Sequence, residues 1–274
     1  MNALLALIET IIIILIGGLS LGIARKLSAR MQRRIGPSIF QAFYDVSKLF
    51  SKEPFYFKRL PVVYAISSMA FQIAAVFILI YGGDTMMAFF VSGAGAVYLA
   101  AGAFASPSVY SWIGGRRELL AIAAYEPVLF VLALSVSTHA HNIILIFPAV
   151  FIAMVPVLSV LLERSPYDVP AAHQEIVTGP YAEYAGPMLG ILNIAKWAQL
   201  GFVYVLISML VWSPSLAVNL TLKIIIVAAA VFITILIDNA TARVSRKTMI
   251  VTLPIITLVL MALNIAVMHL AGII

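Results

Sequence analysis

The chain has 274 residues; 63% are hydrophobic, 10% are charged, the net charge is +6 and the mean hydropathy is +1.09. A soluble domain is nearer half apolar and a quarter charged, so a water-soluble globule is excluded. Cysteine is absent, which excludes disulfides and any thiolate-held zinc or iron–sulfur site within this chain.

Several apolar runs pass the roughly 18 residues needed to cross a bilayer. The first, "ALLALIETIIIILIGGLSLGIA" at 3–24, has no basic segment before it. Its positive charge follows, so it reads as a retained first helix and not as a cleaved signal. Residues 25–60 then form a basic connecting loop. Within it, Phe40, Phe43, Val46 and Phe50 recur at helical spacing, with Asp45, Lys48 and Lys52 turned away and Pro54 ending the pattern. That spacing predicts an amphipathic helix lying along the membrane interface, as a lipid anchor or as a partner dock.

Spans follow at 62–82 and 85–105, joined by the turn "GGDT" as a hairpin, then at 119–137 and 142–162. An acidic loop at 163–185 leads to spans at 186–211, 217–237 and 249–271. The expectation is an all-α polytopic membrane protein, a single bundle over 1–274 with eight transmembrane helices and long cytoplasmic loops. Fifteen of the 17 basic residues fall in the loops of one side, leaving only Lys196 and Lys223. The positive-inside rule makes that side cytoplasmic and puts both termini outside, in the cell membrane. The positive charge thus reflects topology and anionic lipid, not nucleic acid.

Ionisable groups inside the spans point to chemistry. Glu126 lies two turns beyond Glu118, about 12 Å along a helix, in "RRELLAIAAYEPVLF". An acid at that depth is expensive and normally faces a wet cavity or a partner. Pro127 removes one backbone donor and frees the carbonyl of Ala123. A proton or ion path and a static ion pair are the two readings. Lys196, in "GILNIAKWAQLGF", needs a carboxylate partner to stay charged, and a bundle-locking salt bridge is its structural alternative. Glu163 and Asp238, at span ends, read as solvated caps; Glu9 is ambiguous. His139 and His141 form a weak metal pattern with no carboxylate beside it. Trp112, Trp197 and Trp212 read as interfacial or packing residues.

The loop "ERSPYDVPAAHQEIVTGPYAEY" holds Glu163, Asp168, Glu175 and Glu183. Three prolines break any long helix, while Val169, Ile176 and Val177 suggest that part of it packs. Carboxylates clustered in a partly dry pocket are expected to raise one another's pKa, and His173 titrates naturally near neutrality.

Three ordered motifs carry a resemblance over nearly the whole chain. "ARMQRRIGP" with "QAFYDVSKLFSKE", then "AAYEP", then "RSPYDVPAAHQEIVTGPYAEYAG" resemble the NuoH-type membrane subunit of respiratory complex I and its relatives. The resemblance implies a non-catalytic subunit joining a cytoplasmic redox arm to ion movement, with no catalytic, cofactor or metal residues of its own. Gln32, Arg34, Gly36, Pro37, Asp45, Lys48 and Arg164 match the docking loops. Glu126, Glu175, Glu183 and Asp168 match the acid path, to which Glu118, Lys196 and His173 are added here. Glu118 occupies no standard family position.

Ala171 and His173 stand where family loops usually carry acids. Ala195-Lys196-Trp197 replaces the usual Ala-Glu-Tyr, and the first loop is short. These departures weigh against a quinone site. "AHQEI" and "GPSIFQ" are more similar to the membrane-bound [NiFe]-hydrogenase branch, with a sulfur-reducing relative as another possibility. The implied partners are NuoB/NuoD-like small and large hydrogenase subunits carrying a NiFe centre and Fe–S clusters, antiporter-like membrane subunits, and the lipid bilayer. The alternatives are a NuoH subunit of a quinone-reducing complex and a secondary transporter, although no paired interrupted helices of the transporter kind are visible.

Overall fold

The computed structural model describes residues 2–53, 59–138, 143–170, 173–176 and 178–270. Among them every regular element is helical. The His139–His141 turn, Pro54, Ala171 and Val177 lie outside the described residues, as does the side chain of His173.

Helix α1 (Ala3–Met31) runs past residue 24 to carry Arg25, Lys26 and Arg30 as its last turns. One face presents Leu and Ile outward, including Leu4, Ile8, Ile12 and Leu15. The other is small: a Cβ added to Gly18 would lie 2.8 Å from the ring of Trp197. The absent side chains let α1 close onto α9 (Gly186–Ser208).

Helix α2 (Gln41–Phe50) has the expected amphipathic spacing, but much of its apolar face meets protein. Ala42 and Val46 are buried, and the Phe43 ring centroid lies 5.0 Å from that of Trp197. Phe50 packs along Gly190 of α9. Only Phe40 and Tyr44 keep large exposed aromatic surface, with part of Phe50.

Helices α3 (Arg59–Tyr81) and α4 (Thr85–Ala105) form the hairpin. Gly82 takes φ +91°, a conformation that side chains disfavour, and the Asp84 carboxylate accepts from the Met86 N–H over 3.1 Å to cap α4. Helix α5 (Val109–Thr138) begins ten residues before the expected 119. Its "GGRR" stays helical because Gly114 packs on the Gly179–Pro180 backbone and Arg117 is buried beneath the acidic loop.

The fifth expected span, 142–162, is two pieces: α6 (Ile143–Ile146) and α7 (Pro148–Leu161). Pro148 lacks the N–H that would continue the ladder and is suited to start a new helix. Helix α7 is buried over most of its circumference by α5, α9, α10 (Leu216–Ala240) and α11 (Arg246–Leu270). The loop between α7 and α9 contributes one short helix, α8 (His173–Ile176), and a 3₁₀ turn at Gly179–Tyr181. Among the described residues seven helices are long and apolar enough to cross a membrane, with α7 as a shorter apolar one. The chain is a multi-pass membrane protein.

Candidate functional site

The acids of the 163–185 loop do not pool their charge. Three of the four, Glu163, Asp168 and Glu175, take a base from three different elements. Glu163, at the end of α7, accepts from Lys196 Nζ over 2.6 Å. Asp168 pairs with Arg243, between α10 and α11. Glu175 accepts from Arg117 of α5 over 2.6 Å, and Arg164 reaches Asp238 of α10 at 3.4 Å. The expected mutual rise of pKa is therefore not the loop's common property. Arg117 holds the exposed Glu175 carboxyl below its ordinary range. Burial pushes Asp168 up, offset in part by Arg243.

Asp238 is likewise not a solvated cap. It also accepts from the Ser165 N–H over 2.9 Å and from Ser28 Oγ at 3.4 Å. Three parts of the chain are thereby tied at one carboxylate: α1, the loop start at Arg164–Ser165, and α10.

The deepest convergence surrounds Lys196. Its partner is Glu163, and both side chains are mostly buried. Glu118, on α5, is close enough for its charge to act on both. Tyr181 of the 3₁₀ turn closes the group; burial, then the charges of Glu163 and Glu118, push its hydroxyl well above the ordinary range. Further along α5, the Tyr125 hydroxyl accepts from Gln199 Nε2 over 3.0 Å. A cavity of about 10 Å³ beside Lys196 is lined in part by Ser68, Gln72, Tyr181 and Gln199, room for about one water among polar partners. Gln72 exchanges two hydrogen bonds with Ser92, over 2.9 and 3.0 Å, so the polar strip continues between α3 and α4.

Of the sequence-selected path residues whose side chains are described, Lys196 lies at this group and Glu118 is within reach of its charge. Glu126 lies round the helix against α4, where a Cβ added to Gly93 would sit 3.1 Å from its Oε1. Asp168 and Glu175 stay in their own pairs, and Glu183 is half-buried in the loop. In the first loop, Gln32 Nε2 donates to Asn239 Oδ1 over 3.0 Å and Lys26 Nζ to the Gly36 carbonyl over 3.3 Å. Asp45 accepts from Gln41 at 2.8 Å and Arg25 at 3.4 Å, while Arg34 and Lys48 are exposed. Sequence reasoning passed over Arg117, Arg243, Tyr181, Gln72 and Gln199, and it took Glu163 for a cap. Arg117 and Arg243 were visible as bases but were read only as topology markers. Among the described residues no three acidic or imidazole groups converge as metal ligands.

A family model described as "NADH dehydrogenase" matches residues 3–269. The chain belongs to the NADH dehydrogenase family. Its relatives in that family include "Hydrogenase-4 component C" of Escherichia coli (strain K12), 27% identical over 70% of this chain and 69% of the relative. "NADH-ubiquinone oxidoreductase chain 1" of Dictyostelium citrinum is 27% identical over 72% and 73%. One subunit of the NADH-quinone oxidoreductase of Carboxydothermus hydrogenoformans is 26% identical over 64% and 59%. A chain of the membrane-bound sulfane sulfur reductase, an archaeal respiratory membrane complex, superimposes with a TM-score of 0.82 over 96% of this chain and all of that one. At 23% identity that likeness is one of fold. Within the NADH dehydrogenase family this chain is a complex I-like membrane subunit.

Proposed function

We propose that this chain is the membrane-anchoring and coupling subunit of an ion-translocating oxidoreductase of the membrane-bound [NiFe]-hydrogenase type. The observation that carries the reading is the junction of Lys196, Glu163 and Glu118. Glu163 belongs to the loop end and Lys196 and Glu118 to membrane helices, so a change in the loop acts directly on charge held among the spans. The relative named as a hydrogenase component supports this branch. Lys196 in place of the acid usual in quinone-reducing relatives supports it as well.

In this mechanism the NiFe centre and Fe–S clusters reside in NuoB/NuoD-like partner subunits docked on the loops at the cytoplasmic face. Both termini lie outside. Redox change in those partners shifts the loop and, with it, the competition between Glu163 and Glu118 for Lys196. The carboxylate that loses the ammonium becomes the better proton acceptor. Protons then pass by way of Tyr125, Gln199 and Glu126 toward antiporter-like membrane subunits. The coupling requires that the two redox states contact the loop differently, since otherwise no population shifts.

The test is redox-driven ion uptake in inverted vesicles containing the intact complex, together with a nickel assay on the purified complex. Glu163→Gln and Lys196→Met should each cut coupled uptake at least about fivefold, the lower end of typical coupling strengths, while the subunits still co-purify. Full uptake in both variants refutes the mechanism. A nickel-free complex that reduces sulfur compounds moves the chain to the sulfur-reducing reading.

A further inference from the structure

A second feature lies at the other side of α5 and plays no part in the ion-pair cluster. Where α4 ends and α5 begins, Ser106, Pro107, Ser108, Val109, Trp112 and Ile113 wall a groove of about 350 Å³, with Arg116 also in its lining. That volume lies at the lower end of the range for small-molecule sites. The Trp112 indole is fixed: Nε1 donates to the Phe104 carbonyl over 3.0 Å, and its ring stands edge-on to Phe104 with centroids 5.9 Å apart. Arg116 is exposed and makes no ion pair among the described residues, and the groove lining contains no acid.

Beyond the groove, α5 presents a continuous outward apolar stripe: Leu119, Leu120, Ala123, Pro127 and Phe130. From Arg116 to Phe130 it rises about 21 Å, the scale of half a bilayer or more. A charged end and an apolar track in series match one kind of occupant.

We propose that this groove binds the phosphate headgroup of an anionic phospholipid, with its acyl chains laid along the α5 stripe. Arg116 supplies a guanidinium for the phosphate. Trp112 and Val109 form the interfacial wall where amphipathic rings normally sit. A soluble anion has no use for the stripe, and a zwitterionic lipid leaves Arg116 with a compensating cation beside it.

The experiment uses the full chain purified in mild detergent with phosphatidylglycerol, phosphatidylcholine or glycerol 3-phosphate added in turn, followed by native mass spectrometry and thermal unfolding. Retained phosphatidylglycerol is expected, and Arg116→Gln should weaken its retention about fivefold, the effect of one basic residue at an anionic surface. Trp112→Ala should also weaken it. Lys247→Gln removes the same charge from an exposed position outside the groove and should leave retention unchanged. Equal losses in Arg116→Gln and Lys247→Gln would mean diffuse surface attraction and overturn the site. Equal retention of phosphatidylcholine, or stabilisation by glycerol 3-phosphate alone, would overturn the lipid assignment. So would a partner polypeptide found occupying the groove in the intact complex.

Discussion

Lys196 of α9 and Glu163 at the end of α7 meet over 2.6 Å, with side chains only 14% and 22% exposed. Removing one member of such a pair leaves its partner charged and poorly solvated. Lys196→Met alone should destabilise the chain by about 3 kcal/mol, the lower end for breaking a buried pair. Lys196→Met with Glu163→Gln should recover much of that loss. A double-mutant cycle on thermal unfolding in detergent checks it; additive losses would show that the pair is energetically uncoupled.

The acidic loop has two pH responses of opposite sign. Glu175, held below its ordinary 4.5 by Arg117, stabilises the folded loop above about pH 4.5, and that contribution is lost as pH falls through the depressed value. Asp168, pushed above its ordinary 3.8 chiefly by burial, favours the folded state below 3.8 and loses that contribution as pH rises through its raised value. Proteolysis of the 163–185 loop in wild type should therefore accelerate as pH falls below about 4.5, the Glu175 step, apart from the opposite change as pH rises through the raised Asp168 value. In Glu175→Gln it should be faster already at pH 7 and should no longer show that acid step. Because Glu175 is largely exposed, the effect should be modest.

Gly18 lets α1 lie on the Trp197 ring, which Phe43 covers in turn. Gly18→Leu should force α1 away and loosen α2 as well, costing about 1–3 kcal/mol through overpacking. A lower unfolding midpoint together with altered tryptophan emission would show the two movements at once.

Gly93 offers a way to move Glu126 without changing its charge. A Cβ there would sit 3.1 Å from Glu126 Oε1 and 3.5 Å from its Cδ, and the end of that side chain can yield. Gly93→Ala should cost no more than about 1 kcal/mol, the bottom of the overpacking range, while lowering coupled ion uptake in vesicles. Unchanged uptake would remove Glu126 from the path.

The spans at 62–82, 85–105 and 186–211 were legible because length and hydropathy decide them locally. Helix α5 was not, since "GGRR" looks like a break until Gly179 and Glu175 are seen to cover it. The same limit hid the site. Four acids adjacent in one loop look like a cluster, yet Glu163, Asp168 and Glu175 find their partners on α9, the α10–α11 connection and α5. Long-range pairing of that kind leaves no spacing to read. The Phe147–Pro148 interruption was available in the proline, but the apolar run on both sides masked it.

Helix α7 has 14 residues, about 21 Å of rise, against a hydrocarbon layer of about 30 Å. Facing lipid, it would oblige the bilayer to thin beside it. Its neighbours enclose it instead, so acyl-chain length has little purchase on it. Lipids of different thickness should tilt α1, and leave the end of α7 that carries Glu163 at constant height.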